Sequence, residues 1–479
     1  MNTISNILYL SSPDVFLLGL FCVLILADVF VSHLFPKVIY YLSQMGFILV
    51  FLLTLYVFLK MKHTDIIWDG QYVVDSLSLL TKLGIYLFSF FAFIYAKEAI
   101  TSFSISFNEY YLLGVLAVLG MSVMASAQTF LTIYLGLELL SLPLYAMIAL
   151  QKESSVAGEA AMKYFVLGSM ASAILLYGIS MIYGMTGHID THAILASFNA
   201  KQNIAVLIAI VFVLGGILFK LGAFPFHMWV PDVYAGSLSP TTLFIASAPK
   251  IATFAVLFRI LADTMPNLHA AWQPILVVIA ILSMGFGNLL AMVQTNLKRL
   301  LAYSSIAHVG YMLLGFIAGA TVSNGYQAAF FYILTYALVA VGAFAVITLM
   351  ERKGVACDTL EDYQGLNTKH PFLAFMMLIL LFSLAGVPPT VGFIAKFTLL
   401  SALVDAGWVW LALLALFFAL IGAYYYLRVV VYMYFDEPKT TASERVQLSY
   451  PLLFAIGINS GAALILGILP NVLIELCKI

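Results

Sequence analysis

The chain has 479 residues, of which 63% are hydrophobic and only 9% charged, with a formal net charge of −1. A soluble domain carries roughly 25% charged residues, so this composition cannot cover a water-facing surface, and the near-neutral balance gives no footprint for nucleic acid. Apolar runs of about 20 residues recur along the whole chain and are apolar on every face, which predicts membrane-spanning helices rather than the alternating strands of a barrel.

The start, MNTISNILYLSSPDVF, has no basic stretch followed by a small-residue cleavage site, so the first apolar run is expected to be a retained helix. About fourteen helices are predicted, at 15–33, 37–59, 76–97, 109–126, 128–150, 159–185, 204–223, 240–262, 271–293, 301–321, 325–350, 371–400, 407–435 and 448–475. The longest polar connector, ERKGVACDTLEDYQGLNTKHP, has room for one short surface helix. The expected fold class is therefore all-α integral membrane. Loops after odd-numbered helices hold Lys37, Lys97, Lys152, Lys298, Arg299, Arg352, Lys353, Lys369, Lys439 and Arg445. The other side holds chiefly Lys60, Lys62, Lys201, Arg259 and Lys478. By the positive-inside rule the odd loops face the cytoplasm and both termini face outward.

Two predicted helices are interrupted. The seventh runs into KLGAFPFHMWVPD, with Pro225 and Pro231, and the twelfth contains LAGVPPTVGFIAKF, with Pro388 and Pro389. A proline inside a span frees backbone carbonyls, which is tolerated only against protein or a water-lined cavity. Two such helices, five apart in the helix order, are the mark of an inverted-repeat transporter, here helices 4–8 and 9–13. Simple proline kinks are the plainer alternative. The repeat reading divides the chain into three N-terminal helices (1–108), a first half-channel (109–262), an inverted second half-channel (263–436) and a C-terminal helix (437–479).

Ionisable groups inside these spans carry the chemistry. Glu138 lies in the fifth helix, Lys220 one turn before the break in the seventh and Lys250 after Pro249 in the eighth. His308 lies in the tenth, Lys396 after the break in the twelfth, and Lys163 one turn into the sixth. A charge at the bilayer centre costs roughly 2.5–3.5 kcal/mol on insertion scales, so the deep groups must face one another or water. A lysine whose proton affinity is set by a nearby carboxylate is the physical requirement for a gated proton relay. A structural ion pair is the plainer reading for Glu138 with Lys220. Glu159 stands four residues before Lys163, a favourable helix-surface pairing, and His308 could serve only to hydrogen-bond across helices. Asp28 and Arg428 read as snorkelling at helix ends, and Tyr424, Tyr425 and Tyr426 as packing or interfacial anchors.

Other chemistries lack their residues. Cys22, Cys357 and Cys477 are too scattered for an iron–sulfur, zinc or disulfide framework. The histidines suggest no paired haem ligands, and no phosphate-binding glycine loop follows a strand. No redox cofactor is expected on this chain.

The segments LGLELLSLPLY, FKLGAFPFHMWVPDVYAGSLSPTTLF, PKIATFAVLFR, QTNLKRLLAYSSIAHVGYMLLG and LAGVPPTVGFIAKF resemble the antiporter-like membrane subunits of respiratory complex I over nearly the whole chain. The resemblance is nearest to the N-type subunit of bacterial NADH:quinone oxidoreductase: the M-type carries a glutamate at the position of Lys396, and the L-type extends into a long lateral helix. It implies a fourteen-helix fold with two inverted five-helix repeats and a proton relay of Glu138, Lys163, Lys220, Lys250, His308 and Lys396. It implies FMN, iron–sulfur clusters and quinone on partner subunits. The implied neighbours are an M-type subunit and small K-type and J-type subunits, with the redox arm reached indirectly, in a bacterial inner membrane. A subunit of a cation/proton antiporter is the alternative function, and a purely structural membrane subunit a third.

Overall fold

The computed structural model describes residues 3–35, 37–103, 105–197, 204–351, 357–437 and 449–478. Of the basic residues used for orientation, Lys201, Arg352, Lys353, Lys439 and Arg445 lie outside the described residues. A short α1 (Thr3–Leu10) leads into α2 (Ser12–Phe30) and α3 (Val38–Lys60). A hairpin of β1 (Asp65–Ile67) and β2 (Tyr72–Val74) follows, with Asp65 opposite Val74. Then come α4 (Ser76–Ser102), α5 (Phe107–Ala125), α6 (Phe130–Ala149), α7 (Ser155–Thr186), α8 (Thr191–Ser197) and α9 (Ile204–Leu221). The shorter α10 (Trp229–Gly236), α11 (Ser239–Ala246) and α12 (Ala248–Phe258) precede α13 (His269–Met292), α14 (Leu297–Gly319) and α15 (Asn324–Met350). The chain ends with α16 (Leu366–Lys369), α17 (Pro371–Ala385), α18 (Val391–Asp405), α19 (Val409–Tyr434), α20 (Tyr450–Ile468) and α21 (Asn471–Leu476).

Thirteen helical segments among the described residues are long and apolar enough to cross a membrane. A fourteenth crossing comes from α17 and α18, two fifteen-residue halves joined end to end. Both expected interruptions are present, between α9 and α10 and between α17 and α18. A third was not expected: the eighth predicted helix breaks at Ser247, whose φ and ψ of −116° and −92° separate α11 from α12. Pro249 reads equally well as the first turn of a new helix, and that is its position here. The hairpin was not expected either. Its turn places Trp68 and Asp69 at positive φ before Gly70, and its last residues run into Asp75, which caps α4 in a reciprocal capping box with Ser78.

Burial follows a clear gradient. The segments Ser239–Thr264 and Leu297–Gly319 are each 94% buried, against 28% for Ser12–Phe30 and 33% for Tyr450–Ile468. The outer helices carry the apolar surface, with Leu18, Leu26, Leu52, Leu413, Phe417, Leu420 and Phe454 all exposed. With lipid outside, such a surface is satisfied, while polar side chains collect at the centre. Lys250 and His308 sit on the two most enclosed segments.

Candidate proton-transfer site

Each break creates a site of a similar kind. After α9, Gly222 takes a positive φ of 78°, a conformation that favours glycine. A Cβ there would also lie 2.6 Å from Val230 Cγ2. The Phe219 carbonyl, which also accepts from the Gly222 N–H at 3.0 Å, accepts from the Trp229 indole N–H at 2.8 Å, which accounts for a tryptophan in FPFHMW. Between α17 and α18, Gly386 has φ of 85°, and the freed carbonyls of Leu384 and Ala385 each accept from Lys396 Nζ at 2.9 Å. The negative end of a half-helix dipole thus faces the ammonium. At the third break Ser247 Oγ caps the carbonyls of Leu243 and Phe244 at 2.8 and 3.2 Å, and Lys250 follows directly.

Lys220, in the last turn of α9, is buried and donates to Ser141 Oγ at 2.6 Å and to the Tyr145 hydroxyl at 3.2 Å. Its Nζ also lies 5.3 and 5.4 Å from the ring centroids of Tyr145 and Tyr164. Glu138 stands three residues before Ser141 on α6, and its carboxylate accepts from Ser172 Oγ on α7. Among the described residues no direct ion pair joins Glu138 to Lys220; two serines hold them apart. Lys250 donates to Ser305 Oγ and has its Nζ 5.3 Å from the Tyr336 ring centroid.

His308 is bonded at both ring nitrogens, to the Tyr332 hydroxyl at 2.6 Å and the Tyr426 hydroxyl at 3.1 Å. Its ring lies 5.1 Å from that of Tyr336. Tyr336 therefore touches both Lys250 and His308. A cavity of about 20 Å³, lined by His308, Tyr332, Tyr336, Ser383 and Lys396, continues from there; that is room for one water. Lys396 Nζ is 5.3 Å from the Tyr311 ring centroid. Lys250, His308 and Lys396 form one connected row. Tyr164, Trp229 and Tyr234, in ring contact at 4.3 and 6.4 Å, separate it from Lys220.

Lys163 is placed elsewhere. Its Nζ lies 2.8 Å from both Glu159 and Asp232, and Asp232 is also 2.5 Å from Arg299. This is a half-exposed ion network, although the next residue, Tyr164, faces Lys220. Of the two readings of Tyr425 and Tyr426, packing rather than interfacial anchoring fits their burial. Both are buried, Tyr425 donating to Asn288 at 3.0 Å and Tyr426 bonding Ser304 as well as His308; only Tyr424 is exposed. Arg428 caps the end of α13 through the carbonyls of Met292 and Gln294 at 2.7 and 2.5 Å, and Asp28 accepts from Asn108 at 2.7 Å.

Three further charge clusters escaped the sequence reading. Fully buried Lys82 lies 2.8 Å from Asp14 and donates to Tyr72 at 2.6 Å, while Ser122 donates to the other Asp14 oxygen. Arg259 pairs with Asp75 at 2.6 Å and Asp263 at 2.9 Å. Lys298 lies 3.0 Å from Asp358 and 3.9 Å from Glu351. A charge sharing its helix turn with apolar neighbours is the available signal, but partners up to 184 residues distant are invisible along the chain.

Residues 127–422, which contain every residue of the row, match the family model for the transmembrane part of the NADH:quinone oxidoreductase/Mrp antiporter proteins. NADH-quinone oxidoreductase subunit N of Coxiella burnetii is 49% identical over 466 residues, covering 96% of this chain and 95% of the relative. The chain belongs to the NADH-quinone oxidoreductase subunit N family. A chain of the respiratory complex I structure from Thermus thermophilus with bound aureothin, 32% identical, superposes on it with a TM-score of 0.83, covering 97% of this chain and 98% of that one. A chain of the Mrp complex from Dietzia shares the fold at TM-score 0.84 with 21% identity, over 98% of this chain and 96% of that one. Subunit N family membership makes the chain a multi-pass membrane subunit of a multisubunit respiratory complex.

Proposed function

We propose that this chain translocates protons as a membrane subunit of NADH:quinone oxidoreductase, using Lys220, Lys250, His308 and Lys396 as the proton-holding groups. One observation carries the reading: among the described residues, buried Lys220 and Lys250 and half-buried Lys396 have only neutral direct partners, namely hydroxyls, carbonyls and ring faces. A lysine bound to a carboxylate cannot release its proton without stranding a buried anion. One bound to serine or tyrosine can, because a hydroxyl accepts from the ammonium and donates to the free amine. Glu138 acts as the switch: released from Ser172, it would move toward Lys220 and favour the charged form.

The remaining parts of the reading follow from the same arrangement. A proton enters at Lys220 from the cytoplasmic side, passes Lys250 and the His308–Tyr336 contact, and leaves outward from Lys396. The basic loops after odd-numbered helices support inward placement of those loops and outward termini in a bacterial inner membrane. Repeats spanning 109–262 and 263–436, each containing a broken helix, would supply two half-channels, with 1–108 and 437–479 flanking them. The chain holds no redox cofactor of its own in this reading. FMN, iron–sulfur clusters and quinone belong to other subunits, and M-, K- and J-type subunits are the neighbours.

Lys163, in its exposed ion network, serves placement of the α7 end rather than proton transfer. The test is NADH-driven proton uptake by the assembled complex in vesicles. Lys250→Ala and Lys396→Ala should each abolish uptake while the complex still assembles; wild-type uptake in both would remove the relay.

A further inference from the structure

We propose that Glu351 is a second proton-loading group of this chain, a carboxylate that takes protons from the inner aqueous side and passes them to Lys250 along α11. The inference rests on the relay reading above.

Glu351 caps α15, its N–H donating to Ile347 at 3.2 Å, and its side chain is 1% exposed. One carboxylate oxygen accepts from Ser239 Oγ; the other, fully buried, has no hydrogen-bond partner among the described residues. The cation beside it is shared unequally. Lys298 Nζ lies 3.0 Å from Asp358 but 3.9 Å from Glu351, and it also donates to the Ser237 carbonyl at 3.2 Å. Asp358 is held against the start of α14 by Leu297 N–H at 2.6 Å, with Leu360 N–H bonding Thr295 at 2.9 Å just beyond. Asp358 is 19% exposed and forms the outer member of the set. A purely structural triad would centre the lysine between its acids and would leave no buried carboxylate oxygen unbonded.

Inward from Glu351 the polar groups continue. Ser239 opens α11, an eight-residue half-helix that ends at the Ser247 break just before Lys250. From Ser239 to Lys250 the path is about 16 Å at helical rise. Along this stretch the hydroxyls of Thr241, Tyr110 and Tyr234 are buried without a well-formed hydrogen bond among the described residues, the first two lying close to one another. Buried polar atoms are bonded as a rule, and where protein supplies no partner, ordered water does. Tyr234 packs its ring 5.7 Å from that of Phe344 on α15, and its hydroxyl lies near Ser305, the residue that accepts from Lys250. The step balances simply. The Glu351 carboxylate gains one proton from inner-side water, passes one through the hydroxyls and their waters to the neutral Lys250 amine, and returns to its anionic form.

The electrostatics of the mouth suit the role. Burial, with a smaller push from Asp358, outweighs the Lys298 charge and the Ser239 hydrogen bond and leaves the Glu351 carboxyl raised to about 7. Among the described residues, Tyr363 is a further titratable group in electrostatic reach of Glu351. Glu351 thus exchanges protons close to neutral pH, holding one below about 7 and losing it above.

The test uses the intact complex in vesicles, comparing NADH-driven proton uptake in wild type, Glu351→Gln, Ser239→Ala and Lys250→Ala between pH 6 and 8. Glu351→Gln keeps the volume and the Ser239 contact but cannot carry a proton. Uptake should fall about tenfold at pH 8, and by less at pH 6, where bulk protons are more abundant. Wild-type rate and pH profile in Glu351→Gln would overturn the inference. Ser239→Ala removes a bond that favours the charged carboxylate, so the pH limit of uptake should move upward. If Glu351→Gln fails to assemble, an unmoved limit in Ser239→Ala overturns the inference instead. Normal uptake by Lys250→Ala would remove the relay itself, whereas loss there with normal Glu351→Gln would remove only the Glu351 inlet.

Discussion

Gly168 offers a test in which helix propensity and packing predict opposite signs. It lies in the middle of α7, where replacing glycine with alanine ordinarily stabilises a helix by about 0.8–1 kcal/mol. Here an added Cβ would collide with the Tyr145 hydroxyl and lie 2.9 Å from its Cζ. Tyr145 cannot swing freely, because its ring is packed edge-on against Tyr164 at 4.8 Å and Phe165 at 5.7 Å. Forcing a side chain aside in such packing costs about 1–3 kcal/mol. The displaced hydroxyl would also leave Lys220, forfeiting a hydrogen bond to a charged group of about 1.5–3 kcal/mol. The losses exceed the propensity gain, so Gly168→Ala should lower the melting temperature of the complex and slow NADH-driven proton uptake. At about 1.4 kcal/mol per factor of ten, the lost Lys220 bond alone predicts roughly a ten- to hundredfold effect on uptake. Tyr145→Phe removes the clashing atom, so Gly168→Ala added to Tyr145→Phe should cost less than it does alone. A double-mutant cycle with additive effects, or a Gly168→Ala complex that melts higher and pumps normally, would refute the reasoning.

Three shorter predictions complete the set. Asp14→Ala strands Lys82 in a site that is 0% exposed and should destabilise the complex by about 3–5 kcal/mol in thermal unfolding; Asp14→Leu with Lys82→Met should recover most of that loss. Lys163→Ala breaks only solvent-screened, half-exposed ion pairs and should change proton uptake less than about threefold. Burial alone would raise the Asp75 carboxyl, but the charge and hydrogen bonds of Arg259, with Ser78, outweigh it and hold the group below its usual value. A depressed carboxylate stabilises the fold above its unfolded value and loses that contribution as pH falls. Wild type should therefore lose stability over Asp75→Asn only below about pH 4, as read by melting temperature against pH.

What the sequence made legible was whatever is written locally. Spans follow from runs of apolar residues, and two of the three breaks from proline beside glycine. The break at Ser247 was hidden because Pro249 sits where a helix start tolerates proline, so pattern alone reads one continuous helix. The deep charges stood out against apolar neighbours, yet their partners did not. Ser141, Tyr145, Ser305, Tyr332 and Tyr426 are ordinary residues for a membrane helix and gain meaning only from facing a lysine or a histidine across 24 to 118 residues of chain. Lys82 was overlooked for the same reason: its acid, Asp14, comes from a helix 68 residues earlier.

In the proposed relay Glu138 is the switch, and the energetics of its surroundings are compatible with one. Two unit charges about 4 Å apart attract by about 4 kcal/mol at an effective dielectric of 20. Against that, the separated arrangement holds Glu138 by Ser172 and Lys220 by Ser141 and Tyr145. Hydrogen bonds to charged groups are worth about 1.5–3 kcal/mol each, and only some would be surrendered on pairing. The paired and separated states therefore lie within a few kcal/mol of one another, the range in which a modest input of energy shifts the population. Ser172 stabilises only the separated state, so Ser172→Ala should tip the balance toward the ion pair by about 1.5–3 kcal/mol, a factor of roughly ten or more. The expected result is slowed proton uptake with normal assembly, and partial recovery when Glu138→Gln removes the charge that now traps Lys220. An unchanged rate in Ser172→Ala would show that Glu138 does not move between Ser172 and Lys220 during turnover, and the acid would then be a fixed bias on Lys220 rather than its gate.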